Sequence, residues 1–269
     1  YGYYGGIRLL KAAVKRFFDY CTEHGVLLED RNFTIRYDSN IPHLVGLAGS
    51  SAIITACLRA LMAFYNVNIS KPDQANLILS VEKDELLISA GLQDRVAQVY
   101  EGLMYMDFSS EIMQKQGYGN YIKMDPSLLP LLYIAYRADL SEGSDVVHNN
   151  LTERFAGKNA DVLEAVRYWA DLTDRVKDCL LSRKIDEIGG LLNANFDMRA
   201  KICKISSGNR AMIKAARSVG ASAKFTGSGG AIIGTYEDDI MFERLVDSLK
   251  PMGVVVIKPE LVKVAEVDR

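Results

Sequence analysis

Two stretches of glycine and hydroxyl residues, with a pair of carboxylates between them, are the parts of this 269-residue chain whose residue types suit chemistry. The first reads Gly46-Leu47-Ala48-Gly49-Ser50-Ser51-Ala52 and runs straight into Ile53-Ile54-Thr55-Ala56-Cys57-Leu58, which reads as helix. Glycines let backbone N–H groups approach a ligand closely, and a helix start adds unpaired donors and the positive end of the macrodipole. Such a turn either cradles a phosphate or simply caps its helix. It lacks the Lys of a P-loop, and it is not Gly-x-Gly-x-x-Gly. The second stretch is Lys224-Phe225-Thr226-Gly227-Ser228-Gly229-Gly230. Its glycines either serve a tight turn or set backbone donors against an anion. Two such elements in one chain point to a ligand with several phosphates.

Glu82 and Asp94 stand between them. Near the end of its helix, the Glu82 carboxylate has the chemistry to meet a hydroxyl of Ser50 or Ser51 around Mg²⁺, a cation that takes hard oxygen ligands alongside substrate phosphates. Asp94, in Gly91-Leu92-Gln93-Asp94-Arg95, follows a helix-breaking glycine. A carboxylate there can receive or orient the proton of an attacking hydroxyl, with Arg95 holding it ionised or neutralising phosphoryl charge. The alternative is an ordinary solvated Asp–Arg pair. His24, His43 and His148 show no metal-ligand spacing, although His43 lies beside the first glycine turn.

The elements that must position these residues are legible from periodicity. Leu10, Val14, Phe17 and Cys21 recur at spacings of four and three and predict a helix ending near Gly25. Phe33, Ile35 and Tyr37 alternate as a half-buried strand would, leading to Pro42. A helix is expected over 73–87, strands over 103–108 and 131–136, and the helix after the first turn is expected to begin near Ala52. The polar stretch 139–150 separates this part from long helices keyed by Val162, Val166, Trp169, Val176 and Leu180, and by residues 191–203. The last third alternates: helix 211–219, the second glycine loop, strand 231–236, helix 242–249 and strand 253–257. We divide the chain into 1–145 and 146–269.

Composition narrows the class. Lys+Arg 32 against Asp+Glu 34 gives a net charge of -2, and no basic block or aromatic-studded stripe argues for nucleic acid. Cys21, Cys57, Cys179 and Cys203 include no Cys-x-x-Cys pair and read as small apolar residues of a reducing compartment. With no membrane-length apolar run and no signal-peptide pattern, a cytoplasmic protein without membrane or nucleic-acid partners is expected. Nothing in the pattern sets the oligomeric state.

The three elements, in this order, resemble the GHMP small-molecule kinases. The family's Pro-x-x-x-Gly-Leu-Gly-Ser-Ser-Ala motif is matched over residues 42–52, its Lys-x-Thr-Gly-x-Gly-Gly over residues 224–230, and its Mg²⁺-binding Glu and active-site Asp by Glu82 and Asp94. The first motif is one residue longer here between Leu47 and Ser50, a form shared with plant-type glucuronokinases. Those also carry Gly-Tyr-Tyr-Gly-Gly-x-Arg-Leu-Leu, present over 2–10, and Gly-Leu-Gln-Asp-Arg-Val-Ala-Gln-Val-Tyr, present over 91–100.

The resemblance implies a two-domain α+β fold, with a ribosomal-S5-domain-2-like N-terminal half and a ferredoxin-like C-terminal half bearing extra helices. It implies ATP and Mg²⁺, and transfer of a phosphoryl group to the anomeric hydroxyl of a sugar acid, D-glucuronate. ATP would be bound by Gly46, Leu47, Ala48, Gly49, Ser50, Ser51 and Ala52, and by Thr226, Gly227, Ser228 and Gly229. Ser51 and Glu82 would hold the metal, and Asp94 and Arg95 would serve catalysis. Because family members place a first motif upstream, an N-terminal β segment is expected to precede Tyr1. Another sugar substrate, such as galacturonate, arabinose or a heptose phosphate, and a non-catalytic sugar and nucleotide sensor are the competing readings.

Overall fold

In a computed structural model of the chain, the described residues are 7–42, 45–137, 139, 151 and 153–261. His43, His148, the first six residues and most of the polar stretch lie outside them. By contacts the described residues fall into two compact units: one holds 7–41 and 48–124, the other holds 42, 45–47 and 125–261. The division lies at Met124 and Asp125, upstream of the polar stretch, because a strand at Leu132–Tyr136 pairs with strands far downstream.

The first unit is a helical layer with a small ladder. Helix α1 (Arg8–Glu23), α2 (Gly49–Tyr65), α3 (Lys71–Ser80) and α4 (Leu92–Tyr100) converge on Phe17, Ile54, Ile78 and Val96, all fully buried. The α1 stripe of Leu10, Phe17 and Cys21 is the one that the spacing predicted. Strands β1 (Leu103–Asp107) and β2 (Asn120–Met124) pair antiparallel, with Leu103 opposite Met124, and α5 (Ser110–Gln116) joins them. The strand expected at Phe33, Ile35 and Tyr37 is not formed: residues 26–40 belong to no helix or ladder. Alternation marks which side chains prefer burial, but a strand also needs a partner backbone. Phe33 packs its ring on Phe64 and Tyr65 instead.

The second unit is built on a four-stranded antiparallel sheet. Its strands are β3 (Leu132–Tyr136), β4 (Lys224–Phe225), β5 (Ala231–Thr235) and β6 (Val255–Ile257), in the order β4-β5-β3-β6. Leu132 lies opposite Thr235, and Tyr136 opposite both Ala231 and Val255. Helices α6 (Ala160–Leu181), α7 (Ile188–Ile202), α8 (Ser207–Ser218) and α9 (Asp239–Leu249) accompany the sheet. Tyr133, Met212, Ile232, Leu245 and Leu249 form a core that excludes water almost completely. Buried Tyr133 spends its hydroxyl on the Ser222 carbonyl at 2.8 Å, so the phenol enters the core with its polar end satisfied. Mixed helices and sheet in both units make the fold α+β. Among the described residues no helix is long and apolar enough to cross a membrane.

Candidate active site

Helix α2 begins at Gly49, three residues before the expected start, because Ala48 adopts the left-handed conformation (φ 55°) and serves as N-cap. Alanine offers no side-chain acceptor, and no side chain caps this helix end. The N-terminal donors and the dipole of α2 are therefore presented by backbone geometry alone. The Ser51 hydroxyl points back toward the start of the helix: buried Ser51 donates to the Ala48 carbonyl at 2.9 Å, and Thr55 donates to the Ser51 carbonyl at 2.7 Å, whereas Ser50 is exposed.

In the second unit, Gly46 is locked against the second glycine loop. Thr226 Oγ1 donates to the Gly46 carbonyl at 2.9 Å. Gly46 has φ +71°, and a Cβ built on it would stand 2.9 Å from the Gly229 carbonyl oxygen; one on Gly227 would stand 3.1 Å from the Gly46 oxygen. Only glycines permit this approach. The two glycine elements that the sequence shows far apart are thus in van der Waals contact at Gly46, Gly227 and Gly229.

Two side chains outside the sequence candidates shape the loop. Asn209 of α8, fully buried, accepts the Gly230 N–H on Oδ1 at 3.0 Å. Arg199 of α7 donates to the carbonyls of Gly227 at 2.8 Å and Ser228 at 3.3 Å, with its guanidinium 5.2 Å from the Phe225 ring centre. Neither shows a local signal, since a polar residue on a helix face does not announce a partner about 20 or 30 positions away. Lys224, at the loop's start, donates to the Phe225 carbonyl at 2.9 Å. Burial, reinforced by the charge of Arg199, draws its pKa down to about 8.

The carboxylates are arranged differently from expectation. Glu82 lies in a π-helical turn, Val81–Glu85, that continues α3. It is 3% exposed, and its carboxylate accepts from Arg95, itself 5% exposed. Arg95 also donates to the Gly91 carbonyl at 3.0 Å and lies 3.5 Å from an oxygen of Asp94. Burial pulls the guanidinium's pKa down to about 10, so it stays charged at neutral pH and neutralises Glu82. Asp94 occupies the first turn of α4, where the dipole favours a carboxylate, and its side chain is half exposed. Sequence reading pairs Arg95 with Asp94 alone; the structure adds Glu82, as a buried Arg95–Glu82 ion pair with the half-exposed Asp94 carboxylate at its edge.

In this arrangement Glu82 faces a guanidinium and Ser51 a carbonyl, and among the described residues no group of three or more His, Cys, Asp or Glu is placed to hold a metal ion by itself.

Residues 8–102, which contain the first glycine element and all three charged residues, match the family model described as the GHMP kinases N terminal domain. Probable glucuronokinase 2 of Arabidopsis thaliana is 46% identical over 239 residues, which is 86% of this chain and 64% of that protein. Glucuronokinase 1 of the same plant is 44% identical over 86% of this chain and 65% of its own length. The chain thus spans just under two thirds of the length of either relative. Among solved structures, the mevalonate kinase of Methanococcus jannaschii superimposes on 97% of this chain and 77% of its own, with a TM-score of 0.67 at 19% identity. That likeness shows an α+β fold shared with this kinase, the fold class that the motifs implied.

Proposed function

We propose that the chain belongs to an ATP-dependent sugar kinase that phosphorylates the anomeric hydroxyl of D-glucuronate. The observation that carries this reading is the closure of the two glycine elements upon each other at Gly46, Thr226 and Gly229, a backbone-lined feature suited to a polyphosphate. The names of the two plant relatives supply the sugar acid.

On this reading Gly46, Leu47, Ala48, Gly49, Ser50, Ser51 and Ala52 offer backbone donors and the α2 dipole to the phosphates, together with Thr226, Gly227, Ser228 and Gly229. Asp94, open to solvent, accepts the proton of the anomeric hydroxyl as its oxygen bonds to the γ-phosphorus, while the bond from that phosphorus to the β-phosphate oxygen breaks. An anomeric hydroxyl is more acidic than an ordinary alcohol, so positioning and charge stabilisation account for most of the work. Arg95 lies 3.5 Å from the Asp94 carboxylate and is itself paired with Glu82. Mg²⁺, if bound, would be held by Glu82 and Ser51, the side chains that the motif assigns to it, and would shield the charge of the phosphates.

The test is phosphoryl transfer from ATP to D-glucuronate, D-galacturonate, galactose and arabinose, with the product assayed for an acid-labile anomeric phosphate. Turnover with glucuronate well above the others is expected. Equal turnover of the neutral sugars would shift the assignment to another sugar, and ATP binding without turnover of any would support a sensor.

A further inference from the structure

Arg199 projects from the α7 face that also carries Phe196 and Asn193, three positions apart each, toward β4 and the loop that follows it. Asn193 Oδ1 accepts the Ala223 N–H at 2.9 Å, and Phe196 meets Phe225 edge to face, so the helix is held firmly against this strand. With the guanidinium over the Phe225 ring, its two terminal nitrogens reach two successive carbonyls, those of Gly227 and Ser228. The planar fork suits this task, whereas an ammonium on a flexible stem is a single point charge.

The consequence follows from peptide geometry. In a trans peptide the C=O and the N–H point in opposite directions, and none of the described peptides is cis. A carbonyl of Gly227 drawn to Arg199 therefore sends the N–H of Ser228 away from α7, and a carbonyl of Ser228 does the same to the N–H of Gly229. The nitrogens of both residues lie within 4 Å of where a Cβ on Gly46 would stand, on the side of the first glycine element. From below, Lys224 fixes the preceding Phe225 carbonyl, and Asn209 holds the Gly230 amide.

We propose that Arg199 is the positioning residue of the second glycine loop, orienting the Ser228 and Gly229 amides toward a bound polyphosphate by holding the carbonyls behind them. This rests on the reading that the loop meets the phosphates of ATP. Arg199 itself touches no phosphate in this scheme, so its removal should act on nucleotide affinity and leave sugar recognition alone.

The experiment compares Arg199→Met, which keeps an unbranched stem near Phe225, with Arg199→Lys. ATP binding is measured by calorimetry, the KM for ATP and for the sugar acid by steady-state kinetics, and folding by thermal melting. Hydrogen bonds to charged groups are worth about 1.5–3 kcal/mol, so Arg199→Met should weaken ATP binding by about tenfold or more and raise the KM for ATP in step. The KM for the sugar acid should stay within about twofold, and Arg199→Lys should recover part of the loss. Unchanged ATP affinity in Arg199→Met overturns the proposal, as does a parallel loss in both substrates with a lowered melting point. If Arg199→Met fails to fold, Arg199→Lys decides: wild-type ATP affinity shows that the fork is not needed, and a selective loss supports it. Wild-type chain that binds no ATP overturns the underlying reading as well, whereas wild-type binding with indifferent variants overturns this inference alone.

Discussion

The hydroxyl of Thr226 donates to the carbonyl of Gly46 at 2.9 Å, across a separation of 180 residues. The bond ties the residue that opens the first glycine element to the first hydroxyl of the second. Because Gly46 also admits the Gly229 carbonyl where a side chain would stand, the contact is a backbone-to-backbone fit that tolerates no Cβ.

Gly46→Ala is therefore expected to weaken ATP binding by about tenfold or more. The left-handed backbone costs an alanine about 1–2 kcal/mol, and the new methyl must displace the Gly229 carbonyl from 2.9 Å. Thr226→Val, which removes the hydroxyl shared between the Gly46 carbonyl and, at 3.4 Å, the Ala231 carbonyl, should cost about 0.5–1.5 kcal/mol of stability. Calorimetric titration with ATP beside urea denaturation checks both; unaltered ATP affinity in Gly46→Ala would show that the nucleotide does not use this contact.

Glu82→Gln separates the two accounts of Glu82. Removing one partner of a buried ion pair leaves the other uncompensated, at a cost of about 3–5 kcal/mol. With Arg95 buried against it, Glu82→Gln should lower the urea midpoint strongly. An unchanged Mg²⁺ dependence of activity in the surviving folded protein would leave Glu82 to the ion pair alone. The paired change Glu82→Leu with Arg95→Met should recover much of the stability. A sharply raised Mg²⁺ requirement with an unmoved midpoint would instead return Glu82 to the metal.

Lys224 supplies a pH signature. Its folded pKa of about 8 lies below the value near 10.4 of an unfolded lysine, so between those values the unfolded chain binds more protons. This group's contribution to stability accordingly rises with pH from about 8 to about 10.4, and below 8 it penalises the fold in full. Lys224→Met should be more stable than wild type near pH 7, with an advantage that shrinks as pH increases. Urea midpoints of both proteins at several pH values measure the gap; one that stays constant would mean that the lysine is not buried as an ammonium.

The sequence was most readable where one local rule governs. Helical spacing located α1 and α2, and the glycine elements announced themselves because positive φ and close approach demand that residue. It was least readable where a distant partner decides. Phe33, Ile35 and Tyr37 alternate like a strand but find no ladder, and Ala48 moves the start of α2 by taking a left-handed conformation that its type does not advertise. Arg95 reads as a loop cation beside Asp94, yet its guanidinium turns inward to Glu82, which a spacing of 13 residues does not reveal. Arg199 and Asn209 are invisible for the same reason: their partners are carbonyls and amides of a loop that only the tertiary fold brings to their helices.

Asp94 carries the most direct test of catalysis. It sits in the first turn of α4 with a half-exposed side chain, 3.5 Å from Arg95. Asp94→Asn keeps the shape and one acceptor oxygen but cannot take up the proton of the anomeric hydroxyl. Loss of a general base typically lowers turnover by about 10²–10⁴-fold. Stability should change little, since the side chain is half exposed and the Glu82 carboxylate still compensates Arg95. ATP affinity should hold or improve slightly, because a negative charge near the γ-phosphate has been removed. Turnover, ATP binding and the melting point measured on the same preparation distinguish these effects. Near-normal turnover would make Asp94 a surface partner of Arg95 and move the proton acceptor elsewhere, while a collapse of all three quantities would assign it to the fold.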